Sequence, residues 1–279
     1  MITIQELRFE YRKNKIVLST VDLTIAKGSI CGLLGKNGAG KTTLLKLICG
    51  LLFPKSGKCS VFGQDPSSRN PEFLRQIYYL PEEIYMPNMS VSQFHKAYSV
   101  FYPNFDDLLF LATLDEFQLS KTQLLSDLSY GEKKKILISF GLATRCPLFI
   151  LDEPTNGLDI PSKVQFRKLV AKNIQENQLL LISTHQLHDI EKLIDTIIIL
   201  DAGEVVIHSD INEIMHKLSF ERHPEVAHLN YLHFENDLSG YKVMRQNLTN
   251  EETNIDLELF FNGVLANKLK LKQLLGTRQ

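Results

Sequence analysis

GKNGAGKTT, Gly35 to Thr43, lies between an apolar run, ICGLL, and a helical one, LLKLICG. The spacing Gly-x-x-x-x-Gly-Lys-Thr fits a phosphate-binding loop, which requires a strand before it and a helix after it. Gly35, Gly38 and Gly40 let the backbone wrap closely around phosphate oxygens, and successive N–H groups, those of Asn37 and Ala39 among them, point inward. Lys41 would reach the β- and γ-phosphates, Thr42 would offer its hydroxyl to Mg²⁺, and Thr43 closes the motif.

Outward from this loop the chain repeats the same kind of unit. LFILD, LLLIST and TIIILD are short continuous apolar runs that end in polar residues, as strands buried on both faces of a mostly parallel sheet do. Helical stretches separate them, so the fold class is α/β with a phosphate-loop nucleotide-hydrolase core. The opening differs: Ile2, Ile4, Leu7 and Phe9, then Val21, Leu23 and Ile25, alternate with polar residues. That period predicts an N-terminal antiparallel β subdomain. Between Ser90 and Arg145 helical spacing takes over, which predicts a helical insertion. After about Met215 polar residues dominate, with strands expected near His228–Phe234 and Tyr241–Met244. NIDLELFF reads as a strand or a helix, and NKLKLKQLL as a terminal helix.

LFILDEP adds a second piece of chemistry. Asp152, at the end of a buried strand, can hold Mg²⁺, usually through water. Glu153 follows and can face the γ-phosphate as general base for an attacking water. His185, after the run LLLIST, could hydrogen-bond the γ-phosphate and that water. LSYGEKKK, Leu128 to Lys135, reads as a helix entrance with Ser129 and Glu132 forming a capping box. Gly131 bares the backbone of its first turn, which attracts an anion, yet nothing nearby in sequence supplies one. Lys133 to Lys135 reads as a solvated helix face.

The 279 residues allow a well-buried core and at most two compact domains. A net charge of −1 argues for neither nucleic acid nor an anionic membrane as partner. Cys31, Cys49, Cys59 and Cys146 show no Cys-x-x-Cys pair, which suits reduced thiols in a cytosolic protein better than zinc. The opening MITIQELRFEYRKNK lacks the apolar core of a signal peptide, and no run approaches the ~18 apolar residues of a membrane span. Any membrane role is therefore expected through a partner chain.

The order GKNGAGKTT, LSYGEKKK, LFILDEPTNGLD, STH closely resembles the nucleotide-binding subunit of ATP-binding cassette (ABC) transporters, over roughly residues 1–218. The LSYGE upstream of the acidic strand discriminates this family from other phosphate-loop hydrolases. The resemblance implies an ATPase domain over 1–218, with its helical subdomain at about 90–145, and a C-terminal extension over 219–279. It implies ATP and Mg²⁺ as ligands, and an adenine stacked on Tyr11. Two such subunits would pack head to tail, so that Ser129 and Gly131 of one chain meet ATP held by the other, with Asp159 in the loop crossing the interface. A homodimer is expected, docked on a separate membrane permease at the cytoplasmic face, without direct membrane insertion or nucleic acid. Glu82 stands where the family usually has glutamine, near Mg²⁺ and the γ-phosphate; Tyr130 and Glu132 replace the usual Gly and Gln. LPE with SYGE looks like single-domain subunits of exporter systems.

Overall fold

The computed structural model describes residues 1–12, 15–226, 230–238, 240–248 and 253–276. In chain order the elements are β1 (Ile2–Arg12), β2 (Lys15–Ile25), β3 (Ile30–Leu34), α1 (Lys41–Ile48), β4 (Ser56–Val61), α2 (Pro71–Leu74) and β5 (Ile77–Leu80). There follow α3 (Val91–Tyr98), α4 (Asp107–Glu116), α5 (Tyr130–Ala143), β6 (Leu148–Asp152), α6 (Ile160–Asn173) and β7 (Leu179–Thr184). The remainder comprises β8 (Thr196–Asp201), β9 (Glu204–Asp210), α7 (Ile211–Lys217), β10 (Leu218–His223), β11 (His233–Asp237), β12 (Gly240–Gln246), α8 (Leu257–Ala266) and α9 (Lys268–Leu275).

The central sheet runs β5-β6-β7-β3-β8-β9, parallel except for the β8–β9 pair. Its strands are continuous apolar runs because both faces are covered. Along β6, Leu148 and Ile150 enter one apolar core while Phe149 and Leu151 enter the other; Leu179 and Leu181 alternate with Leu180 and Ile182 in the same way on β7. The registers Leu34↔Thr184 and Asp152↔Ser183 bring the carboxyl ends of β3, β6 and β7 level. Ligands bind at that edge in open α/β sheets, and every catalytic residue expected from sequence leaves the chain there.

β2, β1 and β4 form the expected antiparallel sheet. Ile2 pairs with Ile25, Ile4 with Leu23 and Leu7 with Val21, so the alternating apolar residues share a face. The three-residue step from Ile4 to Leu7 is a register shift around Glu6, whose φ is +47° and whose N–H donates to Asp22 Oδ1 at 2.8 Å. Helices α3, α4 and α5 make the insertion, packed around Phe94, Phe110 and Phe140.

The C-terminal region is a β10-β12-β11 antiparallel sheet backed by α8, while α9 packs against α7, α8 and β9. Residues 227–229 lie outside the described residues, and the first strand after them begins at His233 rather than at 228. NIDLELFF resolves as a helix from Leu257: Asp256 accepts from Leu259 N–H at 3.0 Å, and Leu257, Phe260 and Val264 turn inward. Leu218, Met244 and Phe260 join the same apolar core as Ile190, Ile194 and Ile214, so the C-terminal region and the central-sheet region are packed together.

Candidate functional site

Helix α1 begins without a cap. Its N-cap is Gly40, at φ +107°, and no side chain accepts from its first turn, which also lacks an acid. A Cβ at Gly40 would come within 2.8 Å of Leu18 Cδ2, and one at Gly35 within 2.5 Å of the Leu200 carbonyl oxygen. Only glycine lets the loop lie against β2 and β8 while turning back into the helix. Lys41, buried, extends beneath the loop and donates to the carbonyls of Gly35 at 2.8 Å and Lys36 at 3.4 Å.

A cleft of about 470 Å³ opens over this helix start. Asn37, Gly38, Gly40, Lys41, Thr42 and Thr43 form its floor, Tyr11 its rim, and Glu82, Glu153 and His185 its far wall. Tyr11 is 53% exposed, packs edge-on to Phe9, and its hydroxyl is 3.1 Å from Thr43 Oγ1. It therefore stands beside the loop with much of its ring open.

Glu153 is 3% exposed and sits at φ +48°, a conformation that residues other than glycine seldom adopt. β7 holds it there: its N–H donates to Ser183 O at 3.1 Å and Ser183 Oγ at 3.2 Å. Its carboxylate accepts from Thr184 Oγ1 at 3.2 Å and lies 2.8 Å from His185 Nδ1 and 3.6 Å from Lys41 Nζ. An ionised carboxylate only accepts, so the proton in the histidine contact belongs to Nδ1. A carboxylate, an imidazole and an ammonium thus converge at one point.

Asp152 lies behind the cleft, fully buried, accepting from Tyr79 OH at 3.2 Å and from Ser183 Oγ. Burial and this carboxylate push the Tyr79 phenol well above its ordinary range. Among the described residues no group of three or more His, Cys, Asp or Glu side chains could hold a metal by itself. The oxygen donors at the site are Thr42 and Glu82, which line the cleft, and Asp152 behind it, all hard ligands. That set fits Mg²⁺, which keeps waters and phosphate oxygens as its other ligands.

Ser129, Gly131 and Asp159 are not in this cleft. Ser129 and Glu132 form the expected capping box: Glu132 N–H donates to Ser129 Oγ at 3.3 Å, and Glu132 Oε2 accepts from Ser129 N–H at 2.9 Å. The Ser129 hydroxyl, which donates to Glu132 Oε2 at 2.7 Å, and the Ser129 N–H hold the Glu132 carboxyl below its ordinary range. Asp159 caps α6, with Oδ1 accepting from Ser162 N–H at 2.9 Å.

One expectation fails here. Lys134 is completely buried instead of solvated, and Lys133 and Lys135 are half-buried. Position 134 is on the same helix stripe as Ile138 and Gly141, which face the core, so the helical period in the sequence carried the signal. The Lys134 ammonium donates to the main-chain carbonyls of Glu153 at 2.5 Å and Asn156 at 3.1 Å. Burial pulls its pKa down to about 8, against the opposing pull of Glu82, Glu153 and Asp152. Two contacts to Glu82 also escaped sequence reasoning: Asn156 Nδ2 donates to Glu82 Oε1 at 3.1 Å, and Tyr130 OH donates to the Glu82 carbonyl. No local motif marks such contacts, which join loops far apart in sequence.

A family profile described as ABC transporter matches residues 18–156. The ABC transporter ATP-binding protein YtrB of Bacillus subtilis is 32% identical over 216 residues, spanning 77% of this chain and 73% of the relative. The chain belongs to the ABC transporter family. It is an ATP-binding subunit and ATPase of that family. The lantibiotic transport ATP-binding protein SrtF of Streptococcus pyogenes is 31% identical, covering 75% of this chain and 91% of that protein. A solved dimeric ATP-binding cassette in a post-hydrolysis state, bound to ADP and phosphate, shares the fold at TM-score 0.67 and 21% identity, over 75% of this chain and 98% of that one. ABC ATP-binding subunits work with transmembrane permeases, and no helix among the described residues is long and apolar enough to cross a membrane.

Proposed function

We propose that this subunit hydrolyses ATP in a Mg²⁺-dependent reaction at two composite sites of a head-to-tail homodimer, and that the dimer drives an exporter permease from the cytoplasmic face of the membrane. The observation that carries the reading is the convergence of Lys41, Glu153 and His185 on the uncapped start of α1. Lys41 and the loop N–H groups hold the β- and γ-phosphates, and Tyr11 takes the adenine face. Glu153 accepts a proton from the attacking water, and His185, aligned by Glu153, hydrogen-bonds the γ-phosphate. Thr42, Glu82 and Asp152 would hold Mg²⁺, which supplies Lewis-acid polarisation of the phosphoryl oxygens. Ser129 and Gly131 serve the partner's nucleotide across the interface, beside the Asp159 loop. The LPE and SYGE variants support export, as does the similarity to a lantibiotic transport protein. Residues 1–218 would form the ATPase domain and 219–279 an extension packed against it.

Glu153→Gln keeps the shape of the base and removes its basicity. The variant is expected to bind ATP, to lose at least about a hundredfold in turnover, and to accumulate as an ATP-bound dimer on size-exclusion chromatography. Wild-type turnover would remove Glu153 from the role of base.

A further inference from the structure

Lys134 is a buried cation that spends its hydrogen bonds on main-chain carbonyls. Its Nζ holds Glu153 O at 2.5 Å and Asn156 O at 3.1 Å, and lies 5.3 Å from the Tyr130 ring centroid. An aliphatic side chain would fill this position of α5 without the desolvation cost that a buried ammonium carries. Packing therefore does not explain the lysine. The left-handed backbone of Glu153 gives it a purpose. On the amino side that backbone is fixed by Ser183, and on the carboxyl side by Lys134. Asn156, the other residue that Lys134 grips, donates from its side chain to Glu82 and accepts from Gln186 Nε2 at 3.0 Å. Tyr130, one turn before Lys134, reaches the Glu82 carbonyl. The start of α5, the Glu153 segment and the Glu82 loop are thereby fastened at one point.

We propose that Lys134 is a positioning residue for ATP hydrolysis: it holds the main chain of Glu153 so that the carboxylate faces the phosphate cleft of its own chain. The proposal rests on the reading of Glu153 as general base. It adds a physical link between the two composite sites, because the helix that carries Lys134 also carries Ser129, which serves the partner's nucleotide. Movement of α5 against that nucleotide would shift the base belonging to the other site.

Lys134→Met keeps length and removes the donor. It is expected to lower kcat between about tenfold and a hundredfold, the effect of a misplaced catalytic group, with ATP affinity within about twofold of wild type. Lys134→Arg, which retains a cationic donor, should recover part of the rate. Mixed dimers separate positioning from loss of structure. With Lys134→Met and Glu153→Gln on one chain beside a wild-type partner, activity should equal that of a Glu153→Gln/wild-type dimer. With the two changes on opposite chains it should fall by the same tenfold to hundredfold factor, because both bases are then impaired. Equal activity in the two arrangements, a wild-type kcat, or a loss confined to KM would overturn the proposal. If Lys134→Met and Lys134→Gln both lose cooperative melting, the lysine belongs to the fold alone and the proposal also falls. The Glu153→Gln single variant is the control: if it turns over normally, the reading of the base fails independently of Lys134.

Discussion

Helices α1 and α5 both start at small residues, but their first turns are completed differently. α1 starts at Gly40 with no side-chain cap and no acid, and opens on the cleft beside Lys41. α5 starts at Ser129, whose hydroxyl and the Glu132 carboxylate already occupy the first turn. An uncapped N-terminus with an adjacent cation is a finished anion site; a capped one carries its own negative charge. One chain therefore holds an open anion site at α1 and, elsewhere, a helix end that closes on itself; in the proposed dimer the second end would meet the partner's nucleotide. The two ends are not equivalent even though both are glycine-containing helix entrances.

The largest effect should come at the finished site. Lys41→Ala removes the cation proposed to face the phosphates and is expected to lower ATP affinity between about tenfold and a hundredfold, ~1.4–2.7 kcal/mol, in equilibrium binding. Undiminished affinity would erase the distinction drawn between the two helix starts. A smaller effect is expected at the wall of the cleft. Glu82→Gln retains an oxygen that can accept from Asn156 Nδ2, so basal hydrolysis should change by less than about tenfold, ~1.4 kcal/mol in barrier. A thousandfold loss in steady-state turnover would show that the carboxylate itself is required.

The smallest effect belongs to the capped start. Glu132→Ala should lower unfolding stability by about 0.5–1 kcal/mol, the range for an exposed cap. The Ser129 bonds depress the Glu132 carboxyl in the folded protein below its ordinary 4.5. Its contribution is therefore present above that value and is lost as pH falls through the depressed folded value. Denaturant melts of wild type and variant should converge in acid; a gap that persists there would assign the stability to something other than the carboxylate.

The sheet and the phosphate cradle were legible because their signals are local. Continuous runs such as LFILD predict strands covered on both faces, and Gly-x-x-x-x-Gly-Lys-Thr carries its strand and helix with it. The capping box at Ser129 was legible for the same reason. Lys134 was misread because three adjacent lysines look like a charged face, although the helical period puts the middle one in line with Ile138 and Gly141. The contacts from Tyr130 and Asn156 to Glu82 span 48 and 74 residues, and no spacing rule reaches that far. NIDLELFF stayed ambiguous because Leu257 and Leu259 satisfy a two-residue period while Leu257, Phe260 and Val264 satisfy a helical one; the Asp256 cap selects the helix.

The most direct test of a site shared between two chains is complementation between two inactive proteins. Lys41→Ala disables the open site, and Ser129→Arg places a bulky cation in the helix end proposed to serve the partner. Each should be inactive alone. In a mixed dimer one composite site carries both defects, and the other pairs Lys41 of the Ser129→Arg chain with Ser129 of the Lys41→Ala chain. Mixing is expected to restore part of the ATPase activity, up to one working site per dimer. Mixed dimers that demonstrably form and stay inactive, while a wild-type/mutant dimer turns over ATP, would contradict the shared site.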